Sequence, residues 1–229
     1  MRRSLQLSLT AIFAALHVVL YFVSFGLWRN WGIYLESIEA IVLGPRIGFL
    51  AALLGSSIAR MINPDPLFWM FGIIAEPLSV LMAGFLAKAK WKPVLVAYAI
   101  MLSAYFIHPF GRDLPLWAIL DILFALLLIY PVAKYSKNLF KTDVRRLSIA
   151  LVLISFACIA TDSLVRVFLL VPGGLHGLFF PTFEALYGEF VRGAVNSYVE
   201  DLIAVFVSLL VGVPLLMGIL KLRLFENRV

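Results

Sequence analysis

Charged residues are scarce in this chain. Only 14% of its 229 residues are charged, whereas 63% are hydrophobic and the mean hydropathy is +1.01. A soluble domain of this length needs far more polar surface, so the composition excludes an ordinary soluble protein. The hydrophobic residues instead lie in runs of about 20, which is the length that crosses a hydrocarbon core of ~30 Å.

Sequence motifs typical of nucleotide-binding, hydrolase or metalloprotease sites are also lacking. A single cysteine, Cys158, excludes an internal disulfide, and the sequence contains no G-x-x-x-x-G-K-[ST], G-x-S-x-G or H-E-x-x-H. The three histidines, His17, His108 and His176, lie far apart, and we interpret them as interfacial or packed residues rather than metal ligands. We therefore expect no catalytic residues, no metal and no cofactor, and we expect that the protein is not an enzyme.

Eight apolar runs follow one another along the chain. They predict an all-α fold, a polytopic transmembrane helical bundle that forms a single integral membrane domain over residues 1–229. We interpret the first run as a retained helix because no small-x-small cleavage site follows it. The run at 34–44 would rise only ~16 Å as a helix, about half a bilayer. The runs lie at about 5–25, 34–44, 46–62, 67–87, 94–107, 115–133, 147–171 and 195–220.

The basic residues predict the orientation of these segments. If the N-terminus is inside and all eight runs cross, most of the 19 lysines and arginines, including every lysine, fall on the inner side. A competing topology joins 34–62 into one span bent at Pro45, which gives seven spans and an external N-terminus. We predict six to eight membrane segments, both termini cytoplasmic, in the cell membrane of a bacterium or archaeon. The net charge of +6 is then an orientation signal and predicts no nucleic-acid partner.

Ionisable residues inside the apolar runs are the strongest functional signal, because they are costly there and usually face a cavity or a partner. Asp162 and Arg166 are spaced to pair on one helix, and so are Asn196 and Glu200. Such charges either tie helices together or line a polar pocket open to the outside, where mixed signs suit a zwitterionic small molecule. The residues concerned are Arg60, Glu76, Asp121, Asp162, Arg166, Glu200 and Asp201.

Aromatic residues and a carboxylate pair lie near the same predicted face. Trp28, Trp31 and Tyr34 fall in the first external loop, and Phe68 and Trp69 open the fourth segment. They form either an interfacial aromatic belt or a stacking lid over a planar ligand. Glu36 and Glu39 have the spacing of a metal or amine site on one helical face, but we interpret them as a solvated pair near the interface.

Four stretches resemble the substrate-binding S component of an energy-coupling factor (ECF) transporter. They are L-T-A-I-F-A-A-L at 9–16, Y-L-E-S-I-E-A-I-V-L-G-P-R-I-G-F-L-A-A-L-L-G-S-S-I-A-R at 34–60, I-A-E-P-L-S-V-L-M-A-G-F-L-A-K at 74–88 and the closing V-G-V-P-L-L-M-G-I-L-K. The first contains Ala11 and Ala15 in an A-x-x-x-A pattern, a small-residue face that permits close approach of another helix. The likeness covers about the first 90 residues well and about the last 75 loosely.

The resemblance implies a function and a set of partners. The chain would bind a vitamin or similar micronutrient with high affinity and then topple in the bilayer, energised by a pair of separate ABC-type ATPases through a transmembrane coupling subunit. Ala11 and Ala15 would contact that subunit. The family usually has six helices, so the hairpin at about 94–133 is interpreted as an insertion. The resemblance implies substrate-binding roles for Trp31, Tyr34, Trp69, Glu76, Asp162, Arg166, Asn196 and Glu200.

Two alternatives remain open at the level of the sequence. The first is a stand-alone secondary transporter or channel in which Glu76, Asp121 and Asp162 relay protons. The second is a membrane-embedded enzyme or assembly factor that uses the outer carboxylates. An excess of acids on the outer side favours a ligand with an amine or cationic ring, although Arg60 and Arg166 could hold a carboxylate or phosphate.

Overall fold

Every regular element that the structure describes is helical, which confirms the all-α prediction. The computed structural model describes residues 3–23, 29–64, 69–137, 139 and 143–221, with only the backbone at positions 69 and 70. The helices are α1 (Arg3–Tyr21), α2 (Glu36–Leu43), α3 (Pro45–Ile62), α4 (Trp69–Ala87), α5 (Trp91–Ile107), α6 (Pro109–Asp113), α7 (Leu120–Tyr135), α8 (Val144–Leu170), α9 (His176–Phe179), α10 (Phe183–Val207) and α11 (Val213–Lys221).

Among the described residues, five helical stretches are long and apolar enough to cross a membrane. Two further apolar helices are shorter, at Phe71–Ala87 and Trp91–Ile107. The number of crossings and the cytoplasmic side of the termini stay predictions. The five stretches are Arg3–Tyr21, Pro45–Ile62, Leu116–Tyr135, Val144–Leu170 and Phe183–Lys221.

The short run predicted at 34–44 is a buried element. A 3-10 helix, Trp31–Leu35, leads into α2, and every residue of α2 is buried. Its eight residues rise about 12 Å, which is too short to cross a bilayer alone. Gly44 ends α2 with a φ of +80°, a conformation that glycine adopts without strain, and Pro45 then begins α3.

Helix α1 packs closely against α3 through a glycine. A Cβ atom placed on Gly55 would lie 2.5 Å from Cβ of His17 and 2.7 Å from the carbonyl oxygen of Ala14. Only a residue without a side chain allows this approach. Ala11 and Ala15 lie on the opposite, exposed side of α1.

Helix α8 runs through the centre of the bundle and packs against α4, α7 and α10. Asp143 caps its N-terminus by accepting a hydrogen bond from the Arg146 amide at 2.9 Å. The predicted hairpin at 94–133 contributes to the same core, because the buried Tyr98 hydroxyl lies 2.9 Å from Oγ1 of Thr161 on α8. Its origin as an insertion stays a prediction.

The last helix begins earlier than the sequence predicted. The last apolar run was predicted at about 195–220, but α10 begins at Phe183, where Thr182 provides the cap. Its first turns carry Glu184, Glu189 and Arg192, so hydropathy does not reveal them as helix. A π-helical turn, Ser208–Gly212, joins α10 to α11.

Candidate functional site

A network of buried charged side chains occupies one end of the bundle. The ends of α3 and α8, the early parts of α4 and α7 and the second half of α10 contribute to it. On α8 its members begin at Asp162, about 18 residues and thus ~27 Å beyond the helix start near the basic Arg145 and Arg146. Nearly all of these residues were singled out from the sequence because they interrupt apolar runs.

Arg29 lies at the centre of this network. Its Nε atom lies 3.2 Å from Oδ2 of Asp162 and 3.2 Å from Oε2 of Glu200. Its Nη2 atom donates to Oγ of Ser163 at 2.6 Å, and its backbone amide donates to Oε1 of Glu200 at 2.9 Å. Asn196 also donates to Oε1 of Glu200, at 3.0 Å. One loop arginine therefore joins α8 to α10.

Two further arginines, Arg60 and Arg166, extend the network to α3 and α4 through Glu76. Arg60 donates to both carboxylate oxygens of Glu76. Arg166 lies 3.7 Å from Oε1 of Glu76 and bonds Asp162 through Nε at 2.6 Å. A Cβ atom on Gly72 would collide with the Arg60 guanidinium, so glycine at this position lets Arg60 reach Glu76.

An open cavity of about 840 Å³, including its mouth, adjoins this network. Its lining carries both signs of charge, from Arg29, Arg166, Asp121 and Glu200, together with apolar and aromatic side chains. Such a mixed lining can hold a small molecule that has both charged groups and a flat or aliphatic part. The lining includes Arg29, Asp121, Ser163, Arg166, Glu189, Asn196, Ser197 and Glu200, with Phe71, Ala118, Ile122, Val167, Leu170, Phe180, Phe190, Gly193 and Ala194.

The aromatic residues that line the cavity were not predicted from the sequence as binding residues. Phe71, Phe180 and Phe190 line it, and the rings of Phe71 and Phe179 lie 5.8 Å apart. Phe180 follows α9, between the apolar runs predicted at 147–171 and 195–220. Aromatic residues are frequent throughout this chain, so composition alone does not distinguish these three.

The aromatic residues predicted to form a lid either lie away from the cavity or fall outside the part of the chain that the structure describes. Trp31 and Tyr34 contact each other edge to face, with ring centroids 5.4 Å apart. They belong to a separate apolar cluster with Ile159 and Ala204, and neither lines the cavity. The side chain of Trp69, like residues Trp28 and Phe68, lies outside the described part of the chain.

The structure brings together the remaining predicted binding residues. Arg166, Asn196 and Glu200 line the cavity. Glu76 and Asp162 do not line it, but both form ion pairs with Arg166, which does. Arg29 was not predicted as a site residue, because it is 171 positions from Glu200 and is not part of an apolar run. No local spacing could have indicated this pairing.

The interpretation of Glu36 and Glu39 as a solvated pair is wrong. Both side chains are fully buried, because α2 is enclosed by α1, α3, α4 and α8. Nε2 of His17 lies 2.7 Å from Oε2 of Glu39, and Ser79 donates to Oε2 of Glu36. His17 is packed, as predicted, but it is packed against carboxylates.

Two further histidines meet outside the long helices. The rings of His108 and His176 lie 5.7 Å apart, and Nδ1 of His108 accepts a hydrogen bond from the Phe110 amide at 3.2 Å. Burial lowers the pKa of His108, and the neighbouring His176 lowers it further. Folding therefore favours the neutral form of His108 over the protonated form.

Comparisons with known proteins give one distant relative. The chain is 29% identical over 131 residues to Uncharacterized protein MJ0923 of Methanocaldococcus jannaschii, an alignment that covers 57% of this chain and 44% of the relative. The chain therefore matches less than half the length of that relative. No protein-family model matches the chain, and no solved structure matches it.

Proposed function

We propose that this protein is a membrane-embedded subunit that binds a small polar micronutrient, such as a vitamin, for uptake. The observation that carries the proposal is the cavity itself, whose lining combines the charged Arg29, Arg166 and Glu200 with the aromatic Phe180 and Phe190. Helix tethering alone needs paired charges but no open volume beside them. The mixed charges of the lining favour a zwitterion that carries an amine or cationic ring together with an acidic group.

We further propose that uptake is energised from outside the chain, as in ECF transporters. The sequence has no nucleotide-binding motif, so a separate pair of ABC-type ATPases would act through a transmembrane coupling subunit. The exposed side of α1 supports this arrangement, because Ala11 and Ala15 lie there beside the exposed Ile12 and Val19. Small residues on an apolar face permit close helix–helix contact within a membrane.

A thermal-shift panel of water-soluble vitamins tests ligand binding. The purified full chain in detergent should unfold at a higher temperature with one compound of the panel, because a ligand that binds only the folded state stabilises it. Asn196→Leu, which removes a polar group from the cavity wall, should reduce the shift. Glu184→Gln changes an exposed residue at the start of α10 and should leave the shift unchanged. No shift with any compound would contradict the binding proposal.

Assembly with a coupling subunit is tested separately. Ala11→Trp or Ala15→Trp should abolish co-purification of the chain with a co-expressed coupling subunit, while vitamin binding persists. Ala99→Trp is the matched control, because Ala99 is an exposed alanine on α5. Equal co-purification of all three variants would refute the assignment of this α1 face.

Proton-coupled secondary transport is a second candidate, favoured by one observation. Buried carboxyl groups outnumber the arginines near them: Glu36, Glu39, Glu76, Asp121, Asp162, Glu200 and Asp201 accompany Arg29, Arg60 and Arg166. Such an excess is what a proton relay would require. Uptake into proteoliposomes driven by a pH gradient, without ATPases, would favour this function over the first.

A further inference from the structure

A second cluster of polar groups lies behind the cavity, between α1, α2 and α4. Its centre is formed by His17, Glu36 and Glu76. A ring nitrogen of His17 and one carboxylate oxygen from each glutamate lie within 4.8 Å of one another. All three side chains are buried, with exposures of 4%, 0% and 1%. The cluster shares Glu76 with the network beside the cavity but lines no part of the cavity itself.

The hydrogen bond from His17 fixes which ring nitrogen faces this centre. Nε2 lies 2.7 Å from Oε2 of Glu39, and a carboxylate can only accept, so Nε2 carries the proton. In the neutral ring Nδ1 is then an acceptor, and it lies 3.9 Å from Oε2 of Glu76. An imidazole whose outer N–H is held by a carboxylate is the usual arrangement of a histidine that binds a metal through its other nitrogen.

Glu76 at this centre accepts from Arg60, but the neighbouring carboxylates each have one oxygen without a donor. Oε1 of Glu36 has no hydrogen-bond partner among the described residues, and the same holds for Oε1 of Glu39. Ser79 and the Cys158 thiol, at 3.8 Å, both approach the other oxygen of Glu36. Buried carboxylate oxygens without donors are costly. A cation bound among Nδ1 of His17 and these carboxylate oxygens would satisfy the oxygen of Glu36 that has no donor.

With Glu36 and Glu39 both ionised, the balance of charge favours a divalent cation. Arg60 neutralises Glu76, whereas Glu36 forms no ion pair with any described residue, and the ion-pair partner that the described residues offer Glu39 is the imidazole of His17. With His17 neutral, Glu36 and Glu39 leave two negative charges in a buried space. A divalent cation neutralises both, and an uncompensated buried charge would cost several kcal/mol.

We propose that His17, Glu36 and Glu76 bind a divalent transition-metal ion, and that Glu39 positions His17 as a ligand. One imidazole and two carboxylates form a donor set suited to ions such as Zn²⁺ or Co²⁺, whereas Mg²⁺ and Ca²⁺ prefer oxygen alone. The ion would tie α1 and α2 to α4. No metal was predicted from the sequence, because the histidines lie far apart along the chain and Glu36 and Glu39, despite their spacing, were interpreted as a solvated pair.

Cobalt is the probe for this site. The full chain is expressed in cells supplied with Co²⁺, so that the ion can enter while the chain folds, and is purified in detergent. Elemental analysis should give one divalent transition-metal ion per chain, and bound Co²⁺ should show visible d–d absorption that Zn²⁺ abolishes by exchange. Glu39→Gln should weaken Co²⁺ binding by about 10–100-fold, as removal of a positioning carboxylate does.

Ligand variants and matched controls decide the outcome. His17→Gln and Glu36→Gln should each remove the bound metal, whereas His176→Gln and Glu184→Gln, which lie outside the cluster, should retain it. Glu36→Gln has the same shape and can still accept from Ser79, so it tests the site even if His17→Gln fails to fold. A metal-free wild-type chain would overturn the proposal, and so would metal that persists in Glu36→Gln. The metal content is measured without any vitamin, so this result is independent of the cavity and its function.

Discussion

Replacing Arg29 by methionine should destabilise the folded chain more than any surface change. Arg29 is 8% exposed and lies 3.2 Å from carboxylates of both Asp162 and Glu200. Its removal leaves Asp162 with Arg166 alone, and leaves Glu200 with neutral donors. Breaking a buried pair by removing one partner typically costs about 3–5 kcal/mol, so we expect a loss of this size in the free energy of unfolding.

The control for this prediction is an exposed ion pair. Arg192 is 73% exposed and lies 2.8 Å from Glu189, a contact worth at most about 1 kcal/mol. Denaturant titrations in detergent, followed by circular dichroism, compare Arg29→Met with Arg192→Met. The double variant Arg29→Met/Glu200→Gln should lose less than the sum of its parts, by about 0.5–3 kcal/mol, because the second change removes the charge left unpaired.

Two outcomes would refute this reasoning. The first is a loss for Arg29→Met no larger than that for Arg192→Met, which would mean that Arg29 is solvated. The second is strict additivity in the double variant with Glu200→Gln. Arg29→Lys retains the charge and should be destabilised less than Arg29→Met, which keeps the test usable if the methionine variant does not fold.

Two further predictions concern a helix contact and a loop histidine. Gly55→Ala should destabilise the chain by about 1–3 kcal/mol because its methyl group overpacks α1, whereas Gly188→Ala, with open space around it, should be neutral or stabilising by about 0.5–1 kcal/mol in the same titration. Equal effects of the two substitutions would contradict the close approach of α1 and α3. His108 has a lowered pKa in the folded chain, so the unfolded chain binds the proton more readily and stability should fall as the pH drops below about 6.5. His108→Asn should show a smaller loss of melting temperature between neutral and mildly acidic pH, and an equal loss would contradict the assignment.

Sequence reasoning succeeded where the interactions are local. The spacing of Asp162 and Arg166 predicted a pair, and the two side chains bond at 2.6 Å. Asn196 and Glu200 were likewise expected to share a helix face, and they bond at 3.0 Å. Both predictions depend only on the repeat of an α-helix, which brings positions i and i+4 together whatever the rest of the chain does.

Sequence reasoning failed where burial depends on distant segments. Glu36 and Glu39 lie on a short helix whose neighbours come from four other helices, so hydropathy could not show that they are enclosed. Arg29 was overlooked because its carboxylate partners lie more than a hundred positions along the chain. The aromatic part of the site was predicted near Trp31, whereas the aromatic residues that line the cavity include Phe180, which follows the short helix α9.

Mass spectrometry of small molecules that co-purify with the chain tests the central claim most directly. The wild-type protein, extracted gently from its membrane, should release a polar compound that carries both an amine or cationic ring and an acidic group. Ala194→Phe, which places a ring in the cavity without changing a charge, should release much less of it, and Ala99→Phe on an exposed face of α5 should release as much as the wild type. No enriched compound in the wild type, or equal amounts from all three proteins, would contradict the claim that this cavity binds a micronutrient.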